Sequence, residues 1–484
     1  MKLNQLARRA GLQDALPDGP KPDMQITGLT LDSRAVKAGF LFAALPGEKV
    51  HGRSFSQSAL ANGAVAILSD ELDPTLDIPQ LITADPHLAL AKMAAVFYPG
   101  QPKNLVAVTG TNGKSSVVEF LRQIWEMQGT KAASIGTLGI TTKTDQQALG
   151  YTTPDCVRLH QALAGLHKDG ITDCALEASS HGLVQRRLDG AQFTAAGFTN
   201  LTQDHFDYHN SFDDYYQAKQ RLFLKMLPKG APVVINVDDS YGTRLADECE
   251  AASLDVWRIG WAGREMKVIE VQPMVHGQRF QVRINGLERT INLPLVGEFQ
   301  AANALLALGL VMQTGMTLNT GIKALEQLAG VRGRLELAAT TKKQVPVFVD
   351  FAHTPDGLEK LLRSVRPHTR RDMILVFGCG GDRDPSKRPL MAQIAATHAD
   401  KVIVTDDNPR SEDPATIRAS VLKELPGAIE QADRRTAIEQ AIAMAQNGDA
   451  ILIAGKGHEQ GQIIGDKVLP FDDAQTARDL VEAS

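Results

Sequence analysis

Short apolar runs recur along this chain, each closing on polar or glycine-bearing residues, with helical patterns between them. In the first hundred residues, Gly39 to Leu45 and Ala64 to Leu68 read as strands, with Ser54 to Ala61 helical between them. Further on, Thr172 to Leu176 leads into Glu177-Ala178-Ser179-Ser180-His181-Gly182, and Ala195 to Thr199 leads into Asn200-Leu201-Thr202-Gln203-Asp204-His205. Pro232 to Asn236 leads into Asp238-Asp239. The last third repeats the pattern at Val345 to Val349, Met373 to Phe377, Val402 to Thr405 and Ala450 to Ile453. Short apolar runs bounded by turn residues and alternating with helices predict buried parallel strands, and therefore an α/β fold. Ligands of such sheets bind at the carboxyl ends of the strands, where these polar segments fall.

One stretch carries more chemistry than the rest. Leu105 to Val108 predicts a buried strand, Gly110-Thr111-Asn112-Gly113-Lys114-Ser115 a turn, and the pattern from about Ser116 a helix. Glycines at a strand-to-helix turn let backbone N–H groups face a phosphate, and the helix N-terminus adds a favourable field. Lys114 supplies a positive charge, and the Ser115 hydroxyl suits the Mg²⁺ that accompanies a nucleotide. Val108 stands where the common spacing has its first glycine, so this is a shortened form of the motif. An ordinary glycine-rich turn with a surface lysine is the alternative, but strand, helix and Lys-Ser together favour a nucleotide-phosphate site.

With 484 residues the chain is too long for one core, and about three domains are expected, at 1–100, 101–330 and 331–484. The net charge of −5, with both signs interspersed, argues against a nucleic-acid binder. The N-terminus has no apolar signal region and no apolar stretch reaches membrane-spanning length. Cys156, Cys174, Cys249 and Cys379 are scattered and form no metal-type pair, which predicts reduced thiols in a cytoplasmic protein.

Beside the phosphate loop, Glu177 and His205 are candidate ligands for magnesium or its waters. Asp32-Ser33-Arg34 suits a turn cap as well as a ligand contact. Lys219, in a helix-like stretch, reads from its pattern alone as a solvated lysine. The polar ends in the last third gather Arg383, Asn408, Arg410 and Glu459, a set suited to a zwitterion bearing amines and carboxylates.

Several of these motifs together resemble the Mur ligases. They are Gly110 to Ser115, Glu177-Ala178-Ser179-Ser180-His181, Asn200 to His205, Gly297-Glu298-Phe299-Gln300-Ala301-Ala302-Asn303, Gly333-Arg334 and Asp350-Phe351-Ala352-His353-Thr354-Pro355-Asp356. The match spans essentially the whole chain. Asp407-Asn408-Pro409-Arg410 resembles the form of the motif in members that add meso-2,6-diaminopimelate rather than L-lysine. Departures are small: Ser115-Ser116 where many members have threonines, and Gln300 where asparagine is common.

The resemblance implies an ADP-forming acid–amino-acid ligase of peptidoglycan precursor synthesis. Its expected architecture is an N-terminal α/β module for the uridine nucleotide, a central P-loop ATPase-like parallel sheet and a C-terminal Rossmann-like domain closing over ATP. The implied substrates are ATP, UDP-N-acetylmuramoyl-L-Ala-D-Glu and meso-diaminopimelate, with Mg²⁺ as cofactor and a monomer as the expected state. Gly110, Thr111, Asn112, Gly113, Lys114, Ser115, Ser116, Asn303, Arg334, Asp350 and His353 would contact ATP. Lys114, Glu177, His205 and Lys219 would carry catalysis, with Ser115, Glu177, His205 and a carbamylated Lys219 at the metals. Leu31, Ser33, Glu48, Lys49 and Val50 would lie near the uridine end, and Thr152, Thr153, Ser179, Gln185 and Arg187 along the muramoyl dipeptide. Arg383, Asp407, Asn408, Pro409, Arg410, Gly455 and Glu459 would bind diaminopimelate. Rival readings are another ligase of the superfamily, such as folylpolyglutamate synthase or MurF, a GTPase or P-loop motor, and a non-catalytic nucleotide-binding regulator. The GTPase reading would need a guanine-reading Asn-Lys-x-Asp, which the chain lacks.

Overall fold

The computed structural model describes residues 1–16, 23–47, 50–202 and 211–483. The chain divides into two compact units, Met1–Arg258 with Gly309–Met316, and Ile259–Leu308 with Thr317–Ser484.

The first unit opens with a four-stranded parallel sheet, Gly28–Thr30, Phe40–Ala43, Ala64–Ser69 and Gln80–Ile82, laid down in sequence order. Leu29, Leu41 and Leu68 meet Leu6 of helix Leu3–Arg9 and Leu90 and Met93 of helix Pro86–Phe97 in one buried cluster. The start of the second helix is set chemically. Asp85 accepts from the Leu88 N–H at 3.0 Å, and Pro86 at the first turn has no N–H to orphan.

The larger sheet of this unit has the parallel strands Pro232–Asn236, Ala195–Phe198, Asn104–Thr109, Asp173–Glu177 and Ala132–Gly136, in that spatial order. Antiparallel strands Gly139–Thr142 and Gln146–Gln147 extend its edge. Successive side chains point to opposite faces, so Leu105 and Ala107 turn to the same core as Leu176, Phe198 and Ile235. Helices Cys156–Lys168, Phe212–Met226 and Ser240–Ala251 cover that face with Leu159, Leu163, Phe223 and Leu245. The phosphate-loop strand is thus interior to the sheet, with strand ends on both sides of its carboxyl end.

In the second unit, Met266–Met274, Gly277–Ile284 and Leu287–Leu293 form an antiparallel meander that the apolar-run pattern does not predict. Phe280, Val282 and Ile284 are buried while Arg279 and Arg283 face outward, the alternation of a one-sided sheet. Asn285 and Gly286 both have positive φ (47° and 83°) in the two-residue turn, as a type I′ hairpin requires.

The remaining sheet runs Glu336–Thr340, Pro346–Asp350, Ala450–Ala454, Met373–Phe377, Lys401–Val404, Ile429–Glu430, parallel except for its first strand. Helices cover both faces: Leu375 and Phe377 meet Leu358, Leu362 and Met391, whereas Ile374 and Val376 meet Ile438, Ala441 and Ala477. The last strand of this sheet in sequence lies in its middle, which brings Gly455 between the strand ends at Asp350 and Phe377. The carboxyl end of that strand holds a buried ion pair. Arg434 reaches both Asp473 carboxylate oxygens (2.7 and 2.8 Å) and donates to the Ala454 carbonyl at 3.0 Å.

His368 ties this region to the meander. Its Nε2 accepts from the Gly297 N–H (3.1 Å), so its Nδ1–H donates to the Met274 carbonyl (2.7 Å). Burial holds its pKa below the ordinary 6.5. The neutral ring is the one that fits, so its contribution to stability is present above the unfolded pKa and is lost as pH falls through the folded one. The urea midpoint of the wild type is expected to drop on going from pH 7 to pH 5 more steeply than that of His368→Gln. Identical slopes for the two proteins would refute the assignment.

Candidate active site

The phosphate loop is shaped by two glycines. Gly110 has φ 143°, and a Cβ there would lie 1.9 Å from Thr199 Oγ1. Gly113, at φ 86°, occupies the N-cap, and helix Lys114–Met127 begins two residues ahead of the expected start. The loop is stitched to the end of the neighbouring strand. Thr111 N–H donates to the Asn200 carbonyl (2.8 Å), Asn112 N–H to Asn200 Oδ1 (3.1 Å), and Thr199 Oγ1 to the Asn112 carbonyl (2.6 Å).

Two lysines meet at this loop. Lys114 Nζ donates to the carbonyls of Gly110 (2.9 Å) and Thr111 (2.7 Å), and Lys219 Nζ donates to the same Gly110 carbonyl at 2.8 Å. Lys219 is 1% exposed, and its ammonium stands 4.4 Å from the Tyr215 ring centroid. Its helical pattern alone suggested a solvated side chain; the structure buries it beside the phosphate loop.

Glu177 is paired in register with Val108, which sets it beside the loop at the same sheet edge. It is 1% exposed, and its Oε1 accepts from the Thr137 N–H at 2.8 Å. A Cβ on Gly136 would come 2.1 Å from that oxygen, so glycine leaves the space the carboxylate occupies. Ser115 and Glu177 line one small pocket. Ser116, on the first turn of the helix, is buried.

The next residues join this corner through side-chain bonds. Thr137 and Thr152 hydroxyls are 3.1 Å apart, Thr153 Oγ1 donates to the Glu177 carbonyl (2.8 Å), and Ser179 N–H donates to Thr153 Oγ1 (3.1 Å). Arg187 donates from Nη1 to the Thr153 carbonyl (2.7 Å) and from Nη2 to Gln185 Oε1 (2.7 Å). The structure therefore brings together Thr152, Thr153, Ser179, Gln185 and Arg187. Thr137 belongs to the same network; it lies just past strand Ala132–Gly136, a strand end that the apolar-run reading passed over.

At the first sheet, Leu31 and Val50 are exposed and Ser33 is buried. Asp32 chelates Arg34 through two bonds of 2.9 Å, which holds its carboxyl below the usual range, and it caps the short turn Ser33–Ala35. The turn-cap reading of this segment is therefore realised. Glu48, Lys49 and His205 lie outside the described residues.

The second unit carries the other expected contacts. Asn303, on helix Glu298–Gln313, is buried and bonds Gln300 Oε1 at 3.1 Å. Asp350 accepts from the N–H groups of Leu335 (2.6 Å) and Ala352 (2.8 Å). Burial pushes its pKa up, against the pull of Arg334. Phe351 is the hub here, with the Arg334 guanidinium 5.2 Å, the His353 ring 4.4 Å and the His458 ring 5.0 Å from its centroid.

Beyond it lies the polar sheet edge. Arg410, at φ 54°, donates from Nη1 to the Gly381 carbonyl (2.8 Å), in the loop that carries exposed Arg383. Asn408 Nδ2 donates to Glu459 Oε2 at 2.8 Å. Asp407 is buried with one carboxylate oxygen unpartnered, and a Cβ on Gly455 would sit 2.6 Å from that oxygen. Asp407, Asn408, Pro409, Arg410, Gly455 and Glu459 thus occupy one corner, held by the hairpin Gly461–Ile464 and Lys467–Pro470 through Gln462 Nε2 on the Asp407 carbonyl (2.8 Å).

A phosphate loop with a buried carboxylate in one unit, and a sheet edge of paired charges in the other, define a nucleotide-dependent enzyme acting on a charged second substrate. Residues 25–99 match the model for the Mur ligase family catalytic domain, 108–311 the Mur ligase middle domain, and 333–457 the Mur ligase glutamate ligase domain. The chain is 49% identical over 458 residues to the UDP-N-acetylmuramoyl-L-alanyl-D-glutamate–2,6-diaminopimelate ligase of Mesorhizobium japonicum, covering 94% of this chain and 95% of that one. It is 49% identical over 475 residues to the protein of the same name from Brucella melitensis biotype 1, covering 98% and 96%. A solved structure of a ligase of that name superimposes with TM-score 0.74 at 32% identity, over 100% of this chain and 99% of the other. The chain belongs to the Mur ligase family. Among the described residues, no helix is long and apolar enough to cross a membrane, and all four cysteines are buried and free.

Gly136→Ala is expected to drive the Glu177 carboxylate from its place. The Mg²⁺ concentration needed for nucleotide binding, read by calorimetric titration, should rise by about 10–100-fold. An unchanged Mg²⁺ dependence would remove Glu177 from the metal's surroundings.

Proposed function

We propose that this chain is the family member that joins meso-2,6-diaminopimelate to the D-Glu γ-carboxylate of UDP-N-acetylmuramoyl-L-Ala-D-Glu, converting ATP to ADP and phosphate. The observation that carries the specificity is the corner where Arg410, Asn408 and Glu459 converge beside Gly455. Diaminopimelate differs from lysine by a distal carboxylate, which a guanidinium can take through two parallel bonds. Lysine would leave the Arg410 guanidinium without a carboxylate partner and bring another positive charge near it.

In this reading residues 1–100 receive the uridine end, 101–330 hold ATP and the muramoyl dipeptide, and 331–484 hold the amino acid. Leu31, Ser33, Glu48, Lys49 and Val50 serve the uridine end, and Thr152, Thr153, Ser179, Gln185 and Arg187 the peptide. Gly110 to Ser116 cradle the phosphates, with Asn303, Arg334, Asp350 and His353 as the second unit's ATP contacts. Arg383, Asp407 and Pro409 complete the amino-acid site. ATP as co-substrate and the reduced cysteines accord with the cytoplasm, and the active form is taken to be the monomer.

The metal-ligand question has a direct physical answer. Among the described residues no group of three or more His, Cys, Asp or Glu side chains is arranged to hold a metal ion. Nucleotide-bound magnesium needs only one or two protein oxygens besides phosphate and water. Ser115 and Glu177, hard oxygen donors lining one pocket, fit that demand. His205 and a carbamylated Lys219 would supply the remaining contacts. Magnesium bound there would neutralise phosphate charge.

The chain's own residues account for the order of events. A carboxylate is a poor electrophile at neutral pH, so its oxygen first attacks the γ-phosphorus and ADP leaves, giving an acyl phosphate. Lys114 stabilises the charge on the phosphoryl group in flight, and the N–H groups at the helix start orient it. A neutral amine of diaminopimelate then adds to the acyl carbon. The tetrahedral adduct loses its amine proton and expels phosphate, leaving the amide. Covalent help from the protein is unnecessary; positioning dominates.

Carbamylation of Lys219 has a local motive. Lys114 and Lys219 place two ammonium groups on one carbonyl, and like charges in a buried site disfavour each other. Converting Lys219 to a carbamate replaces one of those cations with an anion.

The deciding experiment is phosphate release with ATP and the UDP-muramoyl dipeptide, comparing meso-diaminopimelate with L-lysine. Turnover should require diaminopimelate, and Arg410→Ala should lower kcat/KM for it by about 10–100-fold, the worth of a charged hydrogen-bonded pair. Turnover with lysine instead would overturn the specificity. A lack of turnover with either would point to a rival ligase of the superfamily.

A further inference from the structure

A lysine without a role in the reaction above lies at the core of the amino-acid corner. Lys456 is 0% exposed, in the loop that follows strand Ala450–Ala454. Its Nζ donates to Asn408 Oδ1 at 2.9 Å and to Glu459 Oε2 at 3.3 Å. Asn408 Oδ1 accepts a second bond, from the Ile463 N–H at 2.9 Å, and Asn408 Nδ2 donates to Glu459 Oε2 at 2.8 Å.

An amide side chain offers an oxygen at one end and two N–H groups at the other, and rotation by half a turn exchanges them. Asn408 has no such freedom. An ammonium and a backbone N–H can only donate, and both converge on one end of its amide, so that end is the oxygen. The NH₂ end must then face Glu459. Among the described residues only one of its hydrogens is used, and the second remains for a ligand carboxylate. The two bonds on Glu459 both fall on Oε2, leaving Oε1 to accept from a ligand ammonium. A corner that would otherwise hold acidic Asp407 and Glu459 beside an indifferent amide becomes a polarised pair, donor next to acceptor, before any ligand arrives.

We propose that Lys456 is a positioning residue for amino-acid recognition: its buried ammonium locks Asn408 as a donor and Glu459 as an acceptor for the zwitterionic end of the substrate. The inference rests on reading this corner as the diaminopimelate site. Lys456 acts through its two partners, and its removal should therefore be felt in the binding of the amino acid and little elsewhere. A purely structural lysine would instead disturb all substrates together.

Lys456→Met keeps the unbranched stem, one atom shorter, and removes the donor. Steady-state kinetics should show the KM for meso-diaminopimelate rising about 10–100-fold, as expected for loss of charged hydrogen bonds in a buried network. The KM values for ATP and the UDP-muramoyl dipeptide should stay within about threefold, and thermal stabilisation by ADP should persist. In an Asn408→Ala background the same change should cost distinctly less, because its chief partner is already gone. Lys456→Gln, whose amide can still donate to Asn408 Oδ1, should recover part of the affinity. It also serves as the test, by calorimetric titration with diaminopimelate, where the methionine variant does not fold. Equal rises in all three KM values, an unchanged KM for diaminopimelate, or full additivity with Asn408→Ala would overturn the role of Lys456. A wild type without diaminopimelate-dependent turnover would overturn the reading of the corner, and the inference with it.

Discussion

The chemistry of the first unit depends on a single backbone carbonyl. Gly110 presents its oxygen to Lys114 and Lys219 at once, and it can do so because its φ of 143° and its missing Cβ let the chain pass against Thr199. Any other residue would push the loop away from the neighbouring strand and undo the bonds to Asn200. The carbonyl draws two cations, one from the helix that follows and one from a helix a hundred residues on.

The second unit uses a related device. Arg434 is fully buried against Asp473 and spends a further donor on the carbonyl of Ala454, the last residue of its strand. Breaking such a pair by removing one partner leaves a buried charge uncompensated, at a cost of about 3–5 kcal/mol. The pair therefore fixes where the central strand stops and where Gly455 begins. From that point the chain turns over Asp407, buries Lys456 and returns as the hairpin that clasps Asn408. In both units a buried cation gathers acceptors at the carboxyl end of a sheet and so determines the shape of the loop beside it.

Much of this was legible in the chain. Pro232–Asn236 and Met373–Phe377 begin and end where their apolar runs do, because buried parallel strands need apolar residues on both faces. The meander escaped for the opposite reason. Its strands alternate, so they lack a continuous run, although Asn285-Gly286 between alternating segments is a strong hairpin signal. The helix after the phosphate loop starts at Lys114 rather than near Ser116, since Gly113 already serves as its cap. Among site residues, those proposed to touch ligand stand out through their motifs. Thr137 and Lys456 do not, because each acts by holding another side chain. Only a three-dimensional neighbour, Glu177 for one and Asn408 for the other, gives either its meaning.

Arg410 sets a backbone cost against a side-chain bond. It is not glycine, yet it sits at φ 54°, a conformation that costs a side-chain-bearing residue about 1 kcal/mol or more. Its backbone is pinned there from both sides: its N–H donates to Ile463 at 3.0 Å, and its carbonyl accepts from Gly465 at 2.7 Å. Glycine would satisfy those bonds without strain. The guanidinium at this strained position donates to the Gly381 carbonyl at 2.8 Å, in the loop that carries Arg383. Two arginines on adjoining loops, with the bonded pair of Asn408 and Glu459 in the same corner as Arg410, give that corner a polarity of its own. In the reading proposed above, the end of diaminopimelate bound there carries both an amine and a carboxylate and meets that polarity, whereas the matching end of lysine carries an amine alone.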